Sequence, residues 1–279
     1  MPELPEVETV RAALVPALEN RQICSVYVGR DDLRWPLPAN LALRLKGRHF
    51  AAVERRGKYI LMQLDGHETL LLHLGMSGSV RIYDHRPDLG KHDHFMLEMA
   101  PPTKKGVTSF VVLNAPRRFG WIDLFADSHR DRHKLLANLG PEPLGNSFSA
   151  AHLSACFRTR SGPVKNILLN QSVVAGIGNI YASEALFLAR LSPRRKAATI
   201  SGLRADRLAS AIVTTLRAAI AEGGTSLRDH VQPGGEIGYF VQKLSVYGRE
   251  GAPCPRCASP IKMIIQAGRS SFFCSCCQR

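Results

Sequence analysis

The sequence predicts an α+β chain: a β-rich first half, a helical second half and a small metal-stapled module at the end. Three observations lead there. The first 127 residues break into short β-rich segments divided by Gly, Pro and Asp, the pattern of a sandwich or barrel. From about Ser128 the apolar residues recur at three- and four-residue spacing. Five of the seven cysteines fall in the last 26 residues.

The elements follow in order. Pro5 suits a first helical turn, Glu6 and Glu8 complement the helix dipole, and Val7, Val10 and Leu14 make a buried stripe that Pro16 limits. Strands are expected at 26–28, 51–53, 59–64, 69–74, 80–83, 95–99, 109–113 and 121–125. Helical periodicity covers 130–139, 149–157, 164–170, 179–188 and 205–221. Gly140-Pro141-Glu142-Pro143 reads as a hinge, and 223–238, rich in Gly and polar residues, as a long mobile loop of the kind that is either functional or disordered. The expected domains are 1–127, 128–244 and 245–279.

Charge narrows the partner. Lys and Arg number 37 against 23 Asp and Glu, a net charge of +14, which points to a polyanion and first to nucleic acid. No apolar run approaches the roughly 20 residues of a membrane helix. The acidic, proline-rich start carries no basic leader, so a cytoplasmic protein with reduced thiols is expected.

Cys254-x2-Cys257, sixteen intervening residues, then Cys274-x2-Cys277 is a four-cysteine zinc pattern. Each C-x-x-C turn presents two thiolates on one side, and two turns complete a tetrahedron. The segment is too small to bury a core, so metal binding supplies its folding energy. Cys276 competes on spacing, but symmetric pairing leaves it a bystander. Cys24 and Cys156, in partly apolar neighbourhoods, read as core residues. Between the knuckles, 261–265 and 271–273 read as strands of a hairpin joined by 266–270, with Arg269 near its tip. There Arg269 is either solvated or a phosphate contact.

Five motifs occur in a familiar order: Pro2-Glu3-Leu4-Pro5-Glu6-Val7-Glu8, His73-Leu74-Gly75-Met76-Ser77-Gly78, Pro116-Arg117-Arg118-Phe119-Gly120, Gly178-Asn179-Ile180-Tyr181-Ala182-Ser183-Glu184 and the terminal four-cysteine finger. Together they resemble the bacterial formamidopyrimidine-DNA glycosylases, from residue 2 to Gln278. Leu4 points away from the endonuclease VIII branch, which starts Pro-Glu-Gly-Pro. The resemblance implies an N-terminal β-sandwich flanked by helices, a helix–two-turn–helix domain and a zinc-finger hairpin, with DNA lying across a cleft. It implies a monomeric, zinc-containing bacterial repair enzyme acting on duplex DNA with oxidised purines (8-oxoguanine, formamidopyrimidines), located with the nucleoid.

Roles follow from the same resemblance. Removal of Met1 exposes the Pro2 amine, a secondary α-amine of pKa roughly 7.7–8, partly neutral near pH 7. Attack on a sugar C1′ gives an iminium that acidifies C2′ and permits β,δ-elimination. Glu3 supplies and takes protons, although on spacing alone it is only a helix-start carboxylate. Glu6 is either structural or lesion-contacting. Lys58 and Arg269 match phosphate contacts that assist the two eliminations. Met76, Arg117 and Phe119 fill the hole left by an extruded base. His92, Arg160 and Lys165 align with backbone contacts, and Asn179, opening a helix after Gly176-Ile177-Gly178, with a phosphate site. Two departures stand out: Ala115 replaces the aspartate common before Pro-Arg-Arg-Phe-Gly, and Cys276 is an added thiol in the finger. A pyrimidine-directed relative and a non-catalytic lesion-binding protein are the competing functions; Pro2, Glu3, Lys58 and Arg269 together argue against the second.

Overall fold

The computed structural model describes residues 1–103, 106–225 and 239–279. Most of the loop expected at 223–238 therefore lies outside the described residues. The chain divides into two compact units, 1–137 with 223–239, and 138–222 with 240–279.

In the first unit, helix α1 (Leu4–Leu18) precedes two antiparallel sheets. One has the order β2-β3-β4-β8, from Phe50–Arg56, Tyr59–Leu64, Glu68–His73 and Trp121–Ala126. The other has the order β1-β6-β7-β5, from Ile23–Val28, Asp93–Met99, Ser109–Asn114 and Ser79–Tyr83. A short helix α2 (Leu41–Leu45) follows β1. One apolar core takes Val7, Val10 and Leu14 from α1, Ile60, Met62, Leu70 and Ile122 from the first sheet, and Val80, Leu97, Val111 and Leu113 from the second. All eight expected strands are present, because alternation and turn residues mark them locally.

Three readings need correction here. Pro16 does not end α1: Ala17 and Leu18 continue the helix and are buried, so packing outweighs the hydrogen bond that proline forfeits. The expected helix at 130–139 is a 3-10 helix, Asp127–Arg132, followed by turns. His133 pins that segment to β8, stacking 4.4 Å from Phe125 and lying 3.2 Å from the Asp123 carboxylate. Cys24 is exposed rather than core, since the register of β1 shifts between Ile23 and Ser25, and Cys156 is half-buried.

In the second unit, Ser149 caps α3 (Ala150–Phe157) by accepting the His152 N–H at 3.1 Å. Helix α4 (Val164–Leu168) is two residues shorter than expected, because the Asn170 side chain turns the chain by accepting the Ser172 N–H. Helix α5 (Asn179–Leu188) is buried on nearly every side and packs against α6 (Leu203–Ala221). The hairpin pairs β9 (Lys262–Gln266) with β10 (Arg269–Phe273). Its loop is only Ala267-Gly268, both with positive φ (46° and 72°), which matches strand twist better than the five-residue connection expected.

The units and the expected segments differ in three places, the first being that the sandwich unit runs to 137 rather than 127. The finger clusters with the helices, and 223–239 clusters with the sandwich. Glu184 explains part of the finger's placement. This buried carboxylate on α5 accepts the backbone N–H groups of Ser245, Val246 and Tyr247, each at 2.9 Å, at the entry to the finger. Burial pushes its pKa up against those three bonds. Glu184→Ala should lower the stability of this unit by roughly 3 kcal/mol, because it leaves buried donors unsatisfied. Thermal melts check this; a fall no larger than that of an exposed-site alanine variant would refute it.

Candidate active site and nucleic-acid contacts

The amino terminus is held rigidly. Glu3, buried, is the N-cap of α1, and its backbone N–H donates to the Glu6 carboxylate at 2.8 Å in a capping box. Pro2 is buried, while Met1 is 55% exposed. Glu8 bridges to Arg55 of β2 at 2.9 Å, and Arg55 donates to the Gly57 carbonyl at 3.0 Å. Those contacts tie α1 to the β2–β3 turn, where Lys58 is buried. Helix start and lysine turn are thus parts of one braced assembly.

Beside it is a cavity of about 520 Å³, lined by Met1, Arg34, His73, Met76, Arg117 and Phe119 among others. Two of the loops that line it touch through their backbones. A side chain at Gly75 (φ +69°) would come within 2.4 Å of the Phe119 carbonyl, so only glycine fits. Arg117 donates to the Ser77 hydroxyl at 2.9 Å, and Met76 and Phe119 are 44% and 45% exposed. The three residues expected to enter a base stack are therefore together, on turns and partly open to solvent. Ala115 supports its loop through the backbone alone, donating to His92 and accepting from Arg118. His92 itself is exposed.

The cavity wall also holds residues beyond those the sequence singles out for a role, among them His73 and Arg34. Burial, then the Lys58 and Arg34 charges, hold the His73 pKa down to about 4, so its imidazole is neutral at physiological pH. A motif marks His73 in the sequence; nothing marks Arg34.

In the second unit, the buried Lys165 ammonium donates to the Ser270 carbonyl at 2.8 Å and the Ser271 hydroxyl at 2.7 Å, both on β10. Asn179, first residue of α5, donates to the same Ser270 carbonyl at 3.0 Å. These two side chains thus anchor the hairpin. Arg269 stands exposed beside its tip. Arg160 is half-buried, its backbone bonded to Phe157 and Ala198.

The sulfurs of Cys254, Cys257, Cys274 and Cys277 all lie within 4.8 Å of one another. Four thiolates at about 2.3 Å from a tetrahedral Zn²⁺ sit roughly 3.8 Å apart. The Cys257–Cys274 and Cys254–Cys277 separations, 3.5 and 4.0 Å, bracket that value. Cys276 is exposed and faces the Ser259 hydroxyl at 3.3 Å, outside the set.

Comparison with known proteins agrees with this geometry. The family model for the formamidopyrimidine-DNA glycosylase N-terminal domain matches residues 1–122, and that for the H2TH domain of the same enzymes matches 139–231. A zinc finger found in FPG and IleRS matches 251–279. This chain belongs to the formamidopyrimidine-DNA glycosylase family. A formamidopyrimidine-DNA glycosylase of Roseobacter denitrificans is 51% identical over 290 residues, covering 100% of both chains. The crystal structure of the MutM (Fpg) protein of Thermus thermophilus superposes with a TM-score of 0.87 at 38% identity, covering 99% of this chain and 98% of that one. Lactococcus lactis Fpg, solved with DNA containing N7-benzyl-Fapy-dG, gives 0.88 at 31% identity, covering 100% of each.

Membership of this glycosylase family accounts for the finger, which holds one structural zinc. It also frames Glu6, whose role the sequence leaves open. The Glu6 carboxylate accepts the Thr225 N–H at 2.8 Å and its hydroxyl at 2.9 Å, besides the Glu3 N–H. It latches the segment entering 226–238 onto the start of α1. Gly224 (φ +79°) runs so close that a Cβ there would meet Glu6 at 2.9 Å. Among the described residues, no helix is long and apolar enough to cross a membrane.

Proposed function

We propose that this glycosylase excises oxidised purines, 8-oxoguanine and formamidopyrimidines, from duplex DNA through a covalent intermediate on Pro2, then cuts the strand by β,δ-elimination. The observation that carries the reading is the place of Met1. Residue 1 is bonded to the Pro2 nitrogen and lines the cavity shared by Met76, Arg117 and Phe119. Its removal leaves a secondary amine at the wall of that cavity; its retention leaves a non-nucleophilic amide.

The chemistry then runs through the chain's own groups. The Pro2 lone pair attacks C1′ and the C1′–base bond breaks, its electrons leaving with the base, which takes a proton. Glu3 delivers a proton to the sugar ring oxygen as the C1′–O4′ bond opens, giving the Pro2 iminium. Loss of a C2′ proton turns the iminium into an enamine, whose electrons then push back, break the C3′–O bond and expel the 3′ phosphate with that bond's electrons, leaving a conjugated iminium. A second elimination expels the 5′ phosphate. Lys58, beside the amino terminus, and Arg269, beside the hairpin tip, are the cations proposed for those phosphates. Lys165 and Asn179 act by holding the hairpin that carries Arg269. Met76 and Phe119 supply apolar wedges and Arg117 a donor for the unpaired partner base.

Borohydride reduction tests this. On a duplex with one 8-oxoguanine, the chain lacking Met1 should be trapped covalently as the reduced amine, and the chain keeping Met1 should not. Absence of an adduct, or a Pro2→Gly variant that traps and cuts like the parent, would overturn the mechanism. Efficient excision of thymine glycol with none of 8-oxoguanine would overturn the purine assignment.

A further inference from the structure

The second unit carries a cavity that the excision chemistry does not use. It measures about 540 Å³ and is lined by Arg190, Arg195, Arg204, Arg207, Arg256 and Arg279, with no aspartate or glutamate side chain on its wall. Among the described residues of the other unit, Arg11, Arg30, Arg44, Arg48 and Arg55 each lie within 3.0 Å of a carboxylate. Clustered guanidinium groups repel one another, and an anion relieves that repulsion.

The cluster is also pre-arranged. Arg256 stacks 4.4 Å over the Phe187 ring and donates to the Phe187 and Leu188 carbonyls at the C-terminal end of α5. Arg195 donates to a main-chain oxygen of Arg279, the last residue, at 3.0 Å, and Arg204 to the Thr199 carbonyl at 3.4 Å. Arg190 and Arg207 make no side-chain hydrogen bond or ion pair among the described residues, which leaves their forks for a ligand. Arg190 further adopts φ +59° where α5 terminates, a position that favours glycine. A large cation kept there in a left-handed conformation is a local strain of the kind that gathers at binding sites.

Position separates this cluster from the hairpin contacts. Asn179, beside Ser270, opens α5, and Arg190 lies past its other end. Ten residues of helix set the two about 15 Å apart. We propose that this cavity is a second phosphate-binding site, and that its occupant is the phosphodiester backbone of a second duplex segment. All of the arginines but Arg195 are exposed, so the cavity is open to a continuous polymer, and planar forks suit phosphate oxygens bidentately. A protein holding two segments can pass between them without full dissociation.

The test uses the full zinc-loaded chain saturated with a short unlabelled duplex carrying an abasic-site analogue. A fluorescent undamaged duplex is then titrated, with sedimentation fixing the stoichiometry. The expected result is a complex of two duplexes per chain. Arg190→Glu with Arg207→Glu should weaken the second duplex at least about tenfold and flatten its log–log salt dependence by roughly two, the loss of two phosphate contacts. Single-turnover excision from a short duplex should be unchanged. A saturated chain that takes no second duplex overturns the proposal, as does a double variant that binds it equally. Inorganic tripolyphosphate distinguishes the source: saturable, Arg190- and Arg207-dependent binding of it, with no second duplex retained, would overturn the nucleic-acid occupant.

Discussion

Glu3→Gln should lower single-turnover excision of 8-oxoguanine by about 10²- to 10⁴-fold, the usual contribution of a general acid–base group, while leaving folding and duplex binding intact. The structure makes this a clean substitution. Glu3 is buried as the N-cap of α1; its backbone N–H donates to the Glu6 carboxylate, and its side chain accepts the Glu6 N–H in the capping box. The glutamine oxygen can still accept a hydrogen bond at the helix start, and its volume matches the glutamate it replaces. What it cannot do is gain or release a proton near pH 7. Excision assays under enzyme excess, paired with affinity for an abasic-site duplex, separate the two roles. Excision within about tenfold of the parent would reduce Glu3 to a helix cap. Poor binding with a lowered melting temperature would show that the side chain mainly holds the amino terminus in place.

Loss of the zinc should have the second large effect. Structural zinc contributes an apparent 10–16 kcal/mol to the folding of small finger domains, and the apolar core of this finger is small. Its core consists of Phe187, Val246, Ile261 and two of the ligands themselves, Cys254 and Cys274, flanked by Phe272 and Cys277. Cys274→Ser should therefore abolish zinc binding, melt the β9–β10 hairpin and leave Lys165 without its two β10 acceptors. Duplex affinity should fall at least about tenfold, since Arg269 loses its fixed position. Cys276→Ser is the internal control. It lies outside the four-sulfur set and should retain one zinc per chain. Metal content by plasma emission and amide exchange of the hairpin read both outcomes. A zinc-free Cys274→Ser chain with an intact hairpin would refute the argument, and loss of zinc in Cys276→Ser would show the ligand set to be wrong.

What the sequence makes legible is local. The eight strands of the sandwich can be read because alternation and Gly or Asp breaks act within a few residues. The four cysteines can be read because metal geometry demands two tight turns. Pro16 misleads because its cost is local, whereas the burial of Ala17 and Leu18 that overrides it is tertiary. The segment 130–139 misleads for the same reason: its apolar spacing is helical, but His133 is held by Phe125 and Asp123 of β8. Cys24 is turned outward by a register shift that no pattern announces. In the candidate site, Met76 and Phe119 are recognisable from their glycine-flanked motifs, whereas the backbone contact between Gly75 and Phe119 that unites them is not. Arg34 reaches the cavity from a stretch without periodicity.

The Glu6–Thr225 latch joins groups 219 positions apart in the chain. At ribosomal speeds of about 5–20 residues per second, roughly 10–45 s separate the emergence of its two halves. For that interval the carboxylate beneath Glu3 waits without its threonine donors, and the first-made unit cannot finish first. The order of synthesis thus places completion of the amino terminus among the last events of biogenesis. Any fragment ending before residue 225 would keep the sandwich strands but leave the Glu6 carboxylate without its two threonine bonds.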